Sequence, residues 1–290
     1  MPNLKEVRNR INSVNSTSQI TSAMKMVSAA KLRRAQDAIM QLRPYASKLK
    51  EVLENVTATM ENSSGSIYAE KRIEGKVLLI PITSNRGLCG AFNSNVIKLA
   101  NRLICEEYAG KKITIFPIGK KANDFYKKGN LSLFKENGEA NELFDRLTFD
   151  NVAPFAEEVM AAFADKRFDK VVLIYNRFKN AAVQMPTAEQ LLPIEQAKNT
   201  KAATTEYIYE PNKKFIVNEL IPKSLKIQFY KALLDSHAAE HGARMTAMHK
   251  ATDNAKELLR TLRISYNKAR QAAITNEILE IVGGANALKG

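Results

Sequence analysis

The residues best suited to chemistry are Ser84-Asn85-Arg86-Gly87-Leu88-Cys89-Gly90-Ala91-Phe92-Asn93. A glycine-bearing turn between an apolar run and a helical pattern can hold a phosphate on backbone N–H groups, with Arg86 as the cation. The spacing matches neither GxxxxGK[ST] nor GxGxxG. Two glycines at a tight turn also serve simply to admit positive φ or a close backbone approach. The loop is therefore read as a structural turn, with nucleotide binding as the alternative. Cys89 could act as a nucleophile only beside a base, and the three histidines, His237, His241 and His249, all lie far along the chain. His237 and His241 stand at i, i+4, one face of a helix, but the residues between them do not make an HExxH zinc motif and no third ligand is evident. They are read as ordinary helix histidines.

The elements that position these residues follow from periodicity. From Leu4 to Met60 apolar residues recur every three or four positions: Leu4, Val7, Ile11, Val14, then Ile20, Met24, Val27, and later Ala35, Ala38, Leu42, Tyr45, Leu49, Val52, Val56. This predicts one long helix with a coiled-coil seam. The seam is expected to slip phase between Val14 and Ile20, and Pro44 to kink or break the helix. The last ~70 residues repeat the pattern through Leu225, Leu233, Leu234, Ala238, His241, Met245, Met248, Ala251, Ala255, Leu258, Leu262, Tyr266, Ala269 and Ala273. A helix of ~60 residues spans ~90 Å, too long to pack on its own globule, so its best partner is the other long helix. An antiparallel two-helix coiled coil of both chain ends is predicted, its alanines allowing close approach.

Between them, Lys76 to Thr83, Lys112 to Ile118 and Lys170 to Tyr175 read as buried parallel strands, alternating with helical patterns at 91–108, 120–128 and 154–163. Residues 180–224, which hold four prolines, read as the return path to the second long helix. The expected domains are a helix over 1–60, an α/β domain over 61–211 and a helix over 212–290, the first and last packing as one rod.

The chain has 290 residues and a net charge of +14. Residues 1–60 carry ten basic and four acidic side chains, and residues 212–290 carry thirteen and seven, so nearly all the excess lies in the predicted rod. Three readings fit basic helices: a solvated coil face, an acidic protein partner, or nucleic acid. The last lacks interleaved aromatics for base stacking. No apolar run approaches the ~20 residues of a membrane span. Two cysteines without a CxxC or Cys/His cluster are read as reduced thiols.

Arg10-Ile11, Ser13-Val14, Gln19-Ile20-Thr21, Ala23-Met24-Lys25-Met26-Val27 and Ala30-Lys31-Leu32-Arg33 resemble the N-terminal helix of the gamma subunits of F-type ATP synthases. Tyr266-Asn267-Lys268-Ala269-Arg270-Gln271-Ala272-Ala273-Ile274-Thr275, Glu277 and Glu280-Ile281-Val282-Gly283-Gly284-Ala285 resemble that family's C-terminal signature, and SNRGLCGAFN at 84–93, YIYEP at 207–211 and ARMTAMHKATDNA at 243–255 agree in order.

The resemblance implies a long antiparallel coiled coil flanking a small Rossmann-like α/β domain with a mainly parallel sheet. It implies a rotor subunit of bacterial type with no catalytic residue and no cofactor, one copy per complex, on the cytoplasmic face of the plasma membrane. The implied partners are the ring of alpha and beta subunits, the epsilon subunit and the membrane ring of c subunits, without nucleic acid or membrane insertion. By position, Met24, Lys25, Lys31, Arg33, Arg34, Arg270, Gln271, Thr275 and Glu277 would meet the beta subunits. Ile274, Ile278, Leu279, Ile281, Val282 and Leu288 would form an apolar bearing tip, and Arg43, Pro44, Tyr45, Tyr207, Tyr209 and Glu210 would lie toward the c-ring and epsilon. Chloroplast-type relatives carry an inserted dithiol switch that this sequence lacks, so no thiol control is expected. A basic coiled-coil adaptor and a nucleotide-binding α/β protein remain the alternatives.

Overall fold

The computed structural model describes residues 4–58, 67–70, 72, 75–129, 131–135, 139–194 and 213–287. The chain divides into two compact units, Met1–Ser28 with Met245–Gly290, and Ala29–Arg244. Both long helices, α1 (Leu4–Ala58) and α5 (Lys213–Ala287), pass through both units.

In the first unit the two helices run antiparallel. Thr252 Oγ1 donates to Thr21 Oγ1 over 2.8 Å and Lys25 Nζ lies 3.4 Å from His249 Nδ1, so positions ascend on one helix as they descend on the other. The expected phase slip does not occur. From Val7 the inward positions continue in steps of four and three through Ile11, Val14, Ser18, Thr21, half-buried Lys25 and Ser28, while Ile20 and Val27 are 60% and 58% exposed. On α5 the inward positions are Met248, Thr252, Ala255, Leu259 and Leu262, and Leu258, assigned to the seam from sequence, points outward. An uninterrupted heptad tolerates small polar residues here because their hydroxyls are satisfied locally. Thr21 donates to Ser18 O (3.1 Å), Ser28 to Met24 O (2.7 Å), and Thr252 lies 2.8 Å from Met248 O. Apolarity alone misled the seam assignment. Leu259→Ala should therefore cost about 2–4 kcal/mol and Leu258→Ala less than about 1 kcal/mol, read as shifts in the urea midpoint of the full chain.

The second unit holds a five-stranded sheet in the order β3-β2-β1-β4-β5. Strands β1 (Lys76–Pro81), β2 (Lys112–Ile115), β3 (Ser132–Leu133) and β4 (Lys170–Phe178) pair in parallel, and β5 (Gln184–Leu192) runs antiparallel to β4. Alternation along the strands feeds two cores. Leu78, Ile80, Leu173 and Tyr175 pack with α4 (Phe149–Ala164) and with Leu225, Phe229 and Leu233 of α5. On the other face Val77, Leu79, Val172 and Ile174 pack with α2 (Phe92–Glu106) and α3 (Lys120–Tyr126). Helices cover both faces, which is why β1 and β4 carry continuous apolar runs, 77–80 and 171–175, rather than an apolar residue at every second position.

Three expectations about connections are revised. The supposed return path contains β5, whose Pro186 sits on an edge strand, where a missing N–H does no harm to the ladder. Helix α5 begins at Lys213, at the head of the expected 212–290 helix, and continues through Pro222, so the last part of the supposed return path is helix. Helix α1 continues through Pro44 without a break in its helical assignment.

Candidate functional site

The 84–93 loop follows β1 at the carboxyl ends of the strands, where open α/β sheets usually leave a ligand crevice. Here the loop bonds to itself. Asn93 Oδ1 accepts from Ser84 N (2.9 Å), Asn93 Nδ2 donates to Ser84 Oγ (2.9 Å) and Cys89 Sγ (3.2 Å), and Ser84 Oγ donates to Arg86 O (2.6 Å). Asn85 ties it outward, donating to Asn141 O and accepting from Lys120 N. Cys89 and Phe92 bury themselves against Ala239 and Ala243 of α5. Between those two alanines, a Cβ on Gly242 would meet Ala181 Cα at 3.2 Å, a tight contact between the helix backbone and the turn after β4.

The polarity of the loop does not favour the phosphate alternative. Arg86 O and Gly87 O each lie 3.4 Å from Nη2 of Arg244, so this part of the loop presents acceptors to a guanidinium. Arg244 also pairs with Glu240 at 2.5 Å, and both are buried. Burial pushes the Glu240 carboxyl above its ordinary range, against the pull of Arg244, Lys31 and Arg86. Cys89 is buried beside Asn93, Ser84 and Arg86 O, none of them a base, and Cys105 is exposed.

The histidine pair is set by the same arginine. A guanidinium only donates, so its 3.5 Å approach to His241 Nδ1 makes that nitrogen the acceptor and leaves the proton on Nε2. Nε2–H of His241 then donates to His237 Nε2 over 3.1 Å, and Phe144 stacks on the His237 ring. The facing lone pair is consumed, which opposes joint metal ligation, and no group of three or more metal-ligating side chains exists among the described residues.

Burial, and then neighbouring Lys31 and Arg244, lowers His237 to about 4. Burial, His237, Arg244 and Lys31 lower His241 to about 3. Both values lie below the unfolded value of about 6.5, so the unfolded chain takes up protons first as pH falls. The pair's contribution is complete above pH 6.5 and is lost as pH drops toward 4 and 3, on the order of 3 kcal/mol for a shift of this size. Glu240 and Asp235, both raised, act with the opposite sign, losing their contribution as pH rises. The checking measurement is thus a difference: urea midpoints of the native chain and a His237→Phe/His241→Leu variant, whose gap should narrow from pH 7 to 4.

The rod residues singled out from sequence fall into several environments. Arg33 and Arg34 are exposed, whereas Met24 and Lys25 are half-buried. The charge of Lys31 acts on His237, His241 and Glu240, and that of Arg43 on buried Asp235, so both cations have acidic or polar neighbours within the chain. Pro44 is exposed, and Tyr45 lies under the Lys223 ammonium at 6.0 Å.

Arg270, Gln271, Thr275 and Glu277 are exposed, with the Thr275 hydroxyl donating to Gln271 O at 2.9 Å. Ile274, Ile278, Leu279, Ile281 and Val282 are 44–71% exposed on the last turns of α5. Leu288, Tyr207, Tyr209 and Glu210 lie outside the described residues. In the first unit the sequence reading missed Ile20, Met26 and Val27 of α1 and Ile264 of α5 as outward apolar surface. Their displacement from the continuous heptad is the signal that finds them. Among the described residues no helix is long and apolar enough to cross a membrane.

Comparison with known proteins bears on this geometry. A family model described as ATP synthase matches residues 3–288. The chain is 60% identical to the ATP synthase gamma chain of Flavobacterium johnsoniae over the full length of both, and 47% identical to that of Chlorobaculum tepidum, again over the full length of both. A chain from the central stalk and c-ring of the Tetrahymena thermophila mitochondrial ATP synthase is 30% identical, covering 80% of this chain and 99% of its own, with a TM-score of 0.59. A rotor chain of the Euglena gracilis mitochondrial enzyme shares the fold at 22% identity, covering 93% of this chain and 98% of its own, with a TM-score of 0.63. The chain belongs to the ATP synthase gamma-chain family, and its place in that enzyme is that of a non-catalytic subunit.

Proposed function

We propose that this chain is the central shaft of a bacterial F-type ATP synthase, turning inside a ring of alpha and beta subunits. The observation that carries the reading is the end of α5, where Ile274, Ile278, Leu279, Ile281 and Val282 are all exposed on a helix. Exposed apolar residues on successive turns need a partner outside the chain. A greasy surface without directional bonds is also what a rotating bearing requires.

The mechanism needs no catalytic group. An asymmetric shaft offers different contacts to three equivalent catalytic sites, and each orientation shifts a site's conformational equilibrium by the difference in contact energy. Arg33, Arg34, Arg270, Gln271, Thr275 and Glu277 are the gripping surface in this reading, with Met24, Lys25 and Lys31 at its margin. Arg43, Pro44, Tyr45, Tyr207, Tyr209 and Glu210 face epsilon and the c-ring, at the cytoplasmic face of the membrane. The central-stalk and c-ring assembly of the Tetrahymena relative supports the c-ring as a partner.

Reversing Arg33 and Arg34 to glutamate tests the grip. Like charges brought together across an interface cost several kcal/mol, so ATP-driven proton pumping per ATP hydrolysed should fall about tenfold or more in a normally assembled complex. An unchanged pumping ratio would remove these arginines from the torque path.

A further inference from the structure

Beside α3, on the sheet face opposite α5, lies a cleft of about 640 Å³, within the range that holds a small ligand or an inserted side chain. Its apolar lining is the Tyr126 ring, Leu131 and Phe125. Tyr126 is otherwise satisfied, since its hydroxyl donates to Asn101 Oδ1 at 3.1 Å and burial holds the phenol in its protonated form. Phe125 packs edge-on against it, centroids 5.0 Å apart, yet remains 47% exposed.

The rim is basic. Lys120, Lys121, Lys127 and Lys128 are all exposed within nine residues; Lys121 and Lys128 line the cleft itself together with Asp124, the one acid of the stretch, which leaves the lining with a net charge of +1. Among the described residues no ion pair engages these four lysines. The concentration is conspicuous because residues 61–211 carry only two of the chain's fourteen net positive charges.

We propose that this cleft docks an acidic protein segment, one apolar side chain entering between Phe125 and Leu131 while flanking carboxylates meet Lys121 and Lys128. An anionic lipid surface, which basic residues beside an aromatic would also suit, is an outcome of the test below. A single exposed ring is too few for single-stranded nucleic acid. The inference is independent of the shaft reading, since it concerns a different face of the second unit.

The test is fluorescence anisotropy of a labelled twelve-residue peptide of glutamates and aspartates around a central leucine, titrated with the full-length chain. Saturable binding is expected. Lys121→Glu/Lys128→Glu should weaken it at least about tenfold. Phe125→Ser, with no change of charge, and a peptide with serine for leucine should each weaken it about tenfold, the worth of one buried side chain. Lys98→Glu/Lys179→Glu, the same charge change elsewhere, should weaken it much less. Failure to bind, equal loss in the Lys98/Lys179 variant, or equal binding of the serine peptide overturns the proposal. So does binding to phosphatidylglycerol vesicles that alone depends on Lys121, Lys128 and Phe125.

Discussion

Gly119→Ala should cost on the order of 4 kcal/mol and lower the melting temperature of the chain by roughly 8–16 °C, at about 2–4 °C per kcal/mol for a chain of this size. Gly119 follows Ile118, which bridges to Ile82 three residues beyond β2, and it opens α3 with φ +94°, where an L side chain is strained. A Cβ built there stands 2.1 Å from Thr83 O and 2.7 Å from Thr83 C. Thr83 cannot yield cheaply. It is fully buried, its N–H donates to Ile118 O at 2.8 Å, and its Oγ1 accepts from Ala122 N at 2.8 Å. Gly87→Ala is the matched control, because nothing lies within 4 Å of a Cβ there and its φ is not positive. It should stay within about 1 kcal/mol of the native chain. Thermal unfolding of both variants separates a backbone requirement from a general intolerance of alanine.

Arg244→Met should cost about 3–5 kcal/mol, because it leaves Glu240 buried without its partner. The same change removes the donor facing Arg86 O, Gly87 O and His241 Nδ1, so the damage extends from α5 into the 84–93 loop. Removing both charges is gentler than removing one. Arg244→Met/Glu240→Met should recover about half or more of the loss, since a buried ion pair replaced by apolar groups of similar volume is often near neutral. A double-mutant cycle from urea unfolding supplies the coupling energy. Additive losses would mean that the two side chains act separately, despite their 2.5 Å approach.

The two chain ends were legible as helices because 3–4 periodicity survives over many turns, and the three inner strands because both faces are covered and their runs are apolar, interrupted in β2 only by Thr114. The seam itself was misread where hydroxyls replace methyls. Thr21 and Thr252 fit the heptad by position, but only their hydrogen bonds explain how they come to be buried. Strand β5 was invisible because an edge strand may carry Pro186 and polar residues. Nothing in spacing distinguishes Arg244 from the exposed basic residues of the rod, because its role depends on Glu240 and on two carbonyls more than 150 positions away. The apolar tip was an expectation from the family resemblance. Its exposure is a fact of the fold, since the same residues in a seam would have been buried.

The central claim is that the shaft must turn for the enzyme to couple. It is tested most directly by placing cysteines at Thr275 and at the facing loop of a beta subunit in the assembled complex, oxidising them, and measuring ATP-driven proton pumping. The shaft account predicts that pumping is abolished on cross-linking and returns on reduction. Undiminished coupled pumping in a fully cross-linked complex would contradict it.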